Sequence, residues 1–251
     1  MRNITVKLLQ WNIWYLEKIA NIEKQIRELD PDVVCLQELT CNHGANLGIY
    51  AAEYLKEKLG MYLNYHFAQQ WDKNNSEKEI GDAILSKYPF VNSSFKFLQN
   101  PKENAVDYSE EGRVYIEVSV NIKGKIYTIG TSHLSYSHRF EETEKRKLET
   151  DNLINIIKEK QTNYIFTGDL NATPDSYTVK NISKYLKNAG PDFGEKTWTT
   201  KPFDDKRGFT EDKLNWRIDY VFGTKDIKVR SAKIINTSYS DHLPILLEFL
   251  L

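Results

Sequence analysis

The run ITVKLLQWNIW at 4–14, the segment EKIANIEKQIREL at 17–29, the Asp30-Pro31 stop and the apolar VVCLQEL at 33–39 decide the fold. Residues 4–14 mix alternation with continuous apolar pairs, the pattern of a central strand with at least one buried face. Ile19, Ile22, Ile26 and Leu29 recur every three or four residues and so line one helix face. Asp30-Pro31 then ends the helix. Strand, amphipathic helix and apolar strand make a βαβ unit, which predicts that 4–14 and 33–39 pair in parallel through a right-handed crossover.

Outward from that unit, a second helix is predicted over 49–59, closed by Gly60, and an aromatic-rich strand over 61–71. The polar run at 73–79 reads as an exposed loop leading into a neighbouring strand at 79–90. Residues 92–112 have no strong period and read as a long surface excursion. RVYIEVSVNI and KIYTIGTSHL flank Lys123-Gly124 as an antiparallel hairpin. A long helix is predicted at 139–160, where six acidic and six basic side chains include the i,i+4 neighbours Glu141 with Lys145 and Glu142 with Arg146. That charge reads as a solvated face. YIFTGDLNATP (164–174) begins as a strand, 176–189 is a weaker helix, 190–216 is irregular, and strands follow at 217–223, 227–235 and 244–250. No linker or repeat interrupts the chain, which predicts one α/β domain over 1–251.

The 251 residues carry 34 Lys plus Arg against 35 Asp plus Glu, a formal net charge of −1. That balance excludes a histone-like polycation. With 40% hydrophobic and 27% charged residues the chain is neither disordered nor collagen-like. Two cysteines, Cys35 and Cys41, offer no disulfide framework. No stretch approaches the ~18 apolar residues of a membrane span. The opening MRNITVKLLQWN lacks the apolar core and cleavage site of a secretion signal, so the expected address is the cytoplasm.

Polar residues gather where strands end: Asn12, Glu38, His133, Asp169 with Asn171, Asp219, and Asp241 with His242. In α/β folds, loops beyond strand ends converge on ligands while apolar strands hold the polar groups rigidly. Glu38, Asp169 and Asp241, with the Asn12 amide oxygen, are hard donors suited to Mg²⁺ or Mn²⁺, whereas no Cys/His cluster supports a structural zinc. A hard divalent cation in turn implies phosphate chemistry.

The segments WNI, LQEL, EGRVYIE, TSHL, GDLN, WRIDYVF and SDHLP, in this order, resemble the endonuclease/exonuclease/phosphatase superfamily along nearly the whole chain. The resemblance implies a four-layered α/β sandwich, two central mixed β-sheets flanked by helices, with a metal-dependent phosphoesterase site at one end. It implies that Asn12 and Glu38 lie beside a catalytic Mg²⁺ (or Mn²⁺), with Asp241 a further metal contact. By the same resemblance, Asp169 and Asn171 would orient the attacking water and the phosphate, His133 and Arg113 would stabilise phosphoryl charge, and Asp219 would fix His242. The implied reaction is in-line attack of water on phosphorus without a covalent enzyme intermediate. Either Asp169 or the Asp219–His242 pair serves as base, and one- and two-metal schemes both suit the ligands.

Trp216, just before Arg217-Ile218-Asp219, stands at the rim of that family's cleft and is a candidate substrate contact as well as a packing residue. Trp11 and Trp14 read as core, His138 as a surface residue, and His43 and His66 as structural or solvent-facing. Abasic-site endonucleases carry a Tyr-containing segment where this chain has TSHL, so the His here is more similar to deoxyribonucleases, tyrosyl-DNA phosphodiesterases, deadenylases and sphingomyelinases. Residues 196–230 hold nine Lys or Arg against six Asp or Glu, interleaved with Trp198, Phe203, Phe209 and Trp216, a pattern suited to tracking a nucleic-acid strand or to packing on itself. The expected substrate is a phosphodiester, foremost nucleic acid. A sphingomyelin-like or inositol-phosphate-like ester is the alternative, and a catalytically silent binding module is the reading from another class.

Overall fold

The computed structural model describes residues 4–71, 78–103, 105 and 110–251. In chain order the elements are β1 Thr5–Asn12, α1 Ile19–Leu29, β2 Val33–Cys41, α2 Ala51–Leu59, β3 Tyr62–Gln70, β4 Glu79–Ser86, β5 Phe90–Gln99, β6 Arg113–Ile122 and β7 Lys125–His133. They continue with α3 Glu144–Ile157, β8 Tyr164–Asp169, α4 Tyr177–Ile182, β9 Lys187–Asn188, β10 Phe203–Asp204, β11 Thr210–Glu211, β12 Asp219–Gly223, β13 Lys228–Ile234 and β14 Ile245–Leu250.

Two six-stranded mixed sheets result, ordered β13-β14-β1-β2-β4-β3 and β5-β6-β7-β8-β12-β9. The predicted βαβ unit is present, with β1 parallel to β2 from Leu8 opposite Val33 to Asn12 opposite Gln37. Its helix ends as the sequence required: Asp30 adopts a left-handed conformation and its N–H caps Ile26. The inner faces of the sheets meet in one core, where Val6, Leu8, Cys35 and Leu247 from the first sheet join Val114, Ile116, Ile129 and Val221 from the second. Ile19, Ile22 and Ile26 of α1 and Leu55 of α2 cover the outer face of the first sheet. Leu153 and Ile157 of α3 and Val179 and Ile182 of α4 cover that of the second. The order helix, sheet, sheet, helix is the four-layered sandwich that the sequence implied. Both cysteines are buried and free.

Several elements differ from expectation. Residues 92–112 are not all surface excursion, because β5 runs through Gln99 as an edge strand paired with β6. Register shifts at Phe90/Asn92 and Phe97/Gln99 erase its alternation, and most of its side chains are exposed, so no apolar stripe marks it. The helix predicted from 139 begins at Glu144, where the Thr143 side chain accepts from the Arg146 N–H. Nor is its charge wholly solvated: Arg146 and Glu149 are buried. The helix predicted over 176–189 stops at Ile182, and Lys187–Asn188 pairs with β12. The polar run at 73–79 lies mostly outside the described residues. No described helix is long and apolar enough to cross a membrane.

Candidate active site

The register delivers the polar residues to one end of both sheets. In the second sheet β7 and β8 are parallel with His133 opposite Asp169, and antiparallel β12 sets Asp219 opposite Asp169 on its other side. Three adjacent strands therefore present His133, Asp169 and Asp219 side by side. In the first sheet Asn12 ends β1. Pairing of β2 with β4 breaks between Leu36 and Leu39, and at this break Glu38 takes a left-handed φ of 65°, a conformation that costs a non-glycine residue about 1–3 kcal/mol and collects at functional sites.

Hydrogen bonds tie these ends together across the two sheets. The Asn12 amide donates to Glu38 Oε1 at 3.0 Å and to Asp169 Oδ2 at 2.9 Å. Its oxygen accepts the Trp14 N–H at 3.1 Å, so Asn12 meets the carboxylates as a donor rather than through the oxygen expected of a metal ligand. Glu38 Oε2 accepts the Tyr15 N–H, and Asp169 Oδ1 accepts the Asn171 N–H. The Asn171 side-chain amide donates to the Leu134 carbonyl and to His133 Nε2, each at 3.0 Å. That bond leaves the His133 proton on Nδ1, which lies 4.0 Å from Glu38 Oε1.

His242 is clamped from several sides. Its Nδ1 donates to Asp219 Oδ2 at 2.9 Å, and its Nε2 lies 3.7 Å from Asp169 Oδ2 and 3.9 Å from Asp241 Oδ1. Its backbone carbonyl accepts from the Trp11 indole, its N–H donates to Ser240 Oγ, and that hydroxyl donates to the Asn12 carbonyl. Burial works against charge on the ring, but Asp219, Asp241 and Asp169 together hold its pKa well above the ordinary value. His133 goes the other way: burial, reinforced by Arg113, His242 and Arg146, keeps it neutral.

The carboxylates crowd one another. Burial raises Asp169 to about 7 against the opposing pull of His242. Glu38 is raised by burial and then by Asp241, and Asp241 by burial. Asp169, Asp219 and His242 offer ligand atoms that all lie within 4.8 Å of one another, but the His242 Nδ1 proton is committed to Asp219. Buried acids held above their ordinary pKa by burial and, at Glu38, by a like charge fit a divalent cation, whose charge relieves both costs. Glu38 and Asp241 are the oxygen donors on hand for it, although one Asp241 oxygen accepts from the Trp198 indole at 3.0 Å.

Glu38, His133, Asp169, Asn171, Asp241 and His242 open on a cleft of about 1110 Å³, with Asn12 and Asp219 buried behind them. Arg113 lines it, nearly buried, donating from Nε to Ser135 Oγ at 3.1 Å. Trp216 is not among its walls: the indole donates to Glu211 and the ring packs on Phe140 and Phe209. Trp198 occupies the wall instead, and Trp14, read as core, lines the cleft with Tyr15 and His43. Sequence reasoning also missed support from α3. Arg146 donates to the carbonyls of Leu170 and Asn171 at 2.9 and 2.7 Å, and Glu149 accepts from Ser135 beneath Arg113. Their mixed-charge helix disguised them.

The family described as "Endonuclease/Exonuclease/phosphatase family" matches residues 9–242. No curated protein sequence matches the chain. Among solved structures, an endonuclease/exonuclease/phosphatase from Beutenbergia cavernae DSM 12333 aligns with a TM-score of 0.77 at 20% identity, covering 98% of this chain and 72% of that one. D. rerio TDP2 complexed with single strand DNA product gives 0.71 at 19% identity, covering 98% of each. The mannosyl-6-phosphatase Bt3783 of Bacteroides thetaiotaomicron VPI-5482 gives 0.69 at 14% identity, covering 98% and 100%. At such identities the likeness is one of fold, and a fold shared by a protein holding a single strand DNA product and a mannosyl-6-phosphatase does not select the substrate.

Proposed function

We propose, from the premise that the chain belongs to the endonuclease/exonuclease/phosphatase family, that it hydrolyses phosphodiesters with a divalent cation, Mg²⁺ or Mn²⁺, and that nucleic acid is its substrate class. The observation that carries this reading is the buried line of Asp219, His242 and Asp169, with contacts of 2.9 and 3.7 Å, whose His242 and Asp169 line one cleft with Glu38. A bound cation, held by Glu38 and Asp241, supplies neutralisation of phosphoryl charge and a more acidic water. His242, kept as an imidazolium by Asp219, presents Nε2–H to the phosphoryl oxygens. Asp169, poised near neutrality, takes the proton from water as its oxygen bonds to phosphorus and the bond to the leaving oxygen breaks. Arg113 orients the phosphate, Asn171 holds the His133 ring through its amide, and neutral His133 adds a donor without repelling the imidazolium. No side chain forms a covalent bond to phosphorus.

The cleft exceeds the roughly 300–1,000 Å³ typical of a small-molecule site, which supports a substrate larger than a free phosphate ester. The test is a substrate panel of single- and double-stranded DNA, RNA, tyrosyl-linked DNA, sphingomyelin vesicles and inositol phosphates, with Mg²⁺ or Mn²⁺ and after chelation. Metal-dependent cleavage of a nucleic-acid phosphodiester is the expected result. Undiminished cleavage after complete chelation, or cleavage of phosphomonoesters alone, refutes the reading.

A further inference from the structure

The catalytic floor serves one phosphate, yet the cleft continues past it between walls of different chemistry. Loops of the first sheet give a largely apolar wall of Trp14, Tyr15, Leu16, His43 and Trp71. His43 lies against Trp71 with ring centroids 4.5 Å apart, and the Trp71 indole is held by Glu111 at 2.9 Å. The other wall is the turn at 201–202 and the hairpin of β10 and β11, which bring Lys201, Lys206 and Arg207 to the same cleft.

The hairpin is built around the carboxylate of Asp205, whose two oxygens are fully engaged in hydrogen bonds. Asp205 Oδ1 accepts the N–H groups of Arg207 and Phe209 at 2.8 and 3.2 Å, and Oδ2 accepts from Tyr136 at 3.2 Å and meets His138 Nδ1 at 2.7 Å. Burial would raise its pKa, but these bonds hold it well below the ordinary value. Lys206 is paired with Asp204 at 2.7 Å. Lys201, in contrast, has no acidic partner among the described residues. Arg207 reaches Asp205 only at 3.6 Å through Nε while its guanidinium leans over Tyr136, which leaves the terminal nitrogens of its fork for a ligand. Lys201 without an acidic partner among the described residues and the open terminal nitrogens of Arg207 thus face the cleft from a braced hairpin, beside a site that already has its own phosphate donors.

We infer that Lys201 and Arg207 form a subsite for a second phosphate next to the scissile one, that the Trp14, His43 and Trp71 wall takes a planar base, and that Asp205 is the positioning residue of the hairpin. The preferred substrate is then a single-stranded oligonucleotide rather than an isolated phosphate ester. Pairing of Arg with phosphate and stacking of bases on aromatic rings are the elementary interactions involved. The inference rests on the phosphodiesterase reading above.

The test uses the full chain. Binding of a fluorescein-labelled oligothymidylate is followed by anisotropy in EDTA across a salt series. Hydrolysis of unlabelled oligothymidylate and of bis(p-nitrophenyl) phosphate is followed with Mn²⁺. The Lys201→Ala/Arg207→Ala double variant should bind the strand about tenfold more weakly. Its log–log salt slope should be shallower by about 0.7, the increment for one single-strand phosphate contact. The kcat/KM ratio of strand over small diester should also fall about tenfold. Lys201→Glu, at a loop position, should move all three readings in the same direction, and a charge-matched Lys56→Ala/Lys225→Ala control should move none. A double variant with wild-type slope and ratio, in a protein whose wild type cleaves the strand, overturns the subsite and leaves the phosphodiesterase reading standing. A wild type that cleaves neither diester overturns both, and one that cleaves sphingomyelin vesicles but no strand overturns the subsite and the nucleic-acid assignment together.

Discussion

Replacing Asp219 by Asn preserves shape and removes one charge, so it isolates what that charge does for His242. The carboxylate is 1% exposed and accepts the Nδ1 proton at 2.9 Å, and its backbone is fixed by the Thr197 hydroxyl, which accepts the Asp219 N–H at 3.2 Å. The Asn carbonyl can keep the bond to Nδ1, while its NH₂ takes the place of Oδ1, an atom without a hydrogen-bond partner among the described residues. What is lost is the charge assistance, and hydrogen bonds to charged groups contribute about 1.5–3 kcal/mol. If the imidazolium stabilises the transition state, kcat/KM at pH 7 falls about 10- to 150-fold. Direction with pH gives a second check. Asp219 is the foremost of the three acids that raise the His242 pKa, so its loss lowers that pKa, and the alkaline limb of the rate profile moves to lower pH. The assay is kcat/KM for an oligonucleotide with Mg²⁺ between pH 5.5 and 9, beside an NMR titration of the His242 ring. A variant within threefold of wild type, with an unmoved alkaline limb, refutes the role given to the pair.

Glu38→Gln removes the carboxylate placed against the cation and should lower kcat by about 10²–10³, the range seen for one preorganised electrostatic group, with unchanged circular dichroism; wild-type turnover contradicts the assignment. Asp169, raised to about 7, binds its proton more tightly folded than unfolded, so the chelated protein should lose stability as pH rises from about 4 through 7. His242, also raised, adds a loss of the same sign above about 6.5, the ordinary His pKa. Calorimetry of wild type and Asp169→Asn at pH 5 and 8 checks this: the variant should lose less on going to pH 8, and a larger loss contradicts it. Arg146→Met leaves the buried Leu170 and Asn171 carbonyls without their donor and should cost about 3 kcal/mol, as breaking a buried charged contact does. Chemical denaturation measures the loss, and an unfolding free energy equal to wild type rejects the bracing role of α3.

Legibility of the fold followed burial. Strands covered on both faces, such as β2 and β8, are continuous apolar runs, and α1 announces itself through Ile19, Ile22 and Ile26 because one face alone is buried. Where burial is weak the pattern fails. Edge strand β5 has one bonded neighbour and two register shifts, so neither periodicity nor composition had to be kept. The end of α4 at Ile182 is set by the pairing of Lys187–Asn188 with β12, a tertiary event that local propensity does not encode.

The candidate site divides along the same line. Asn12, His133, Asp169 and Asp219 were legible as strand termini because a polar residue that interrupts an apolar run at a strand end faces an opening in the fold. Arg146 and Glu149 were not, since a charge inside a helix of alternating charges has the same sequence signature whether it meets water or the Leu170 carbonyl. The hairpin at 203–211 was the hardest to assign, because its basic and acidic residues nearly balance. Only the coordinates show that Asp205 spends its carboxylate on Tyr136, His138 and two backbone N–H groups, and that Asp204 answers Lys206. A charge count over 196–230 therefore does not show which cations are paired: Asp204 answers Lys206 and Asp205 lies beside Arg207, while Lys201 has no acidic partner among the described residues. In this protein the electrostatics of the wall depend on which carboxylates are already satisfied.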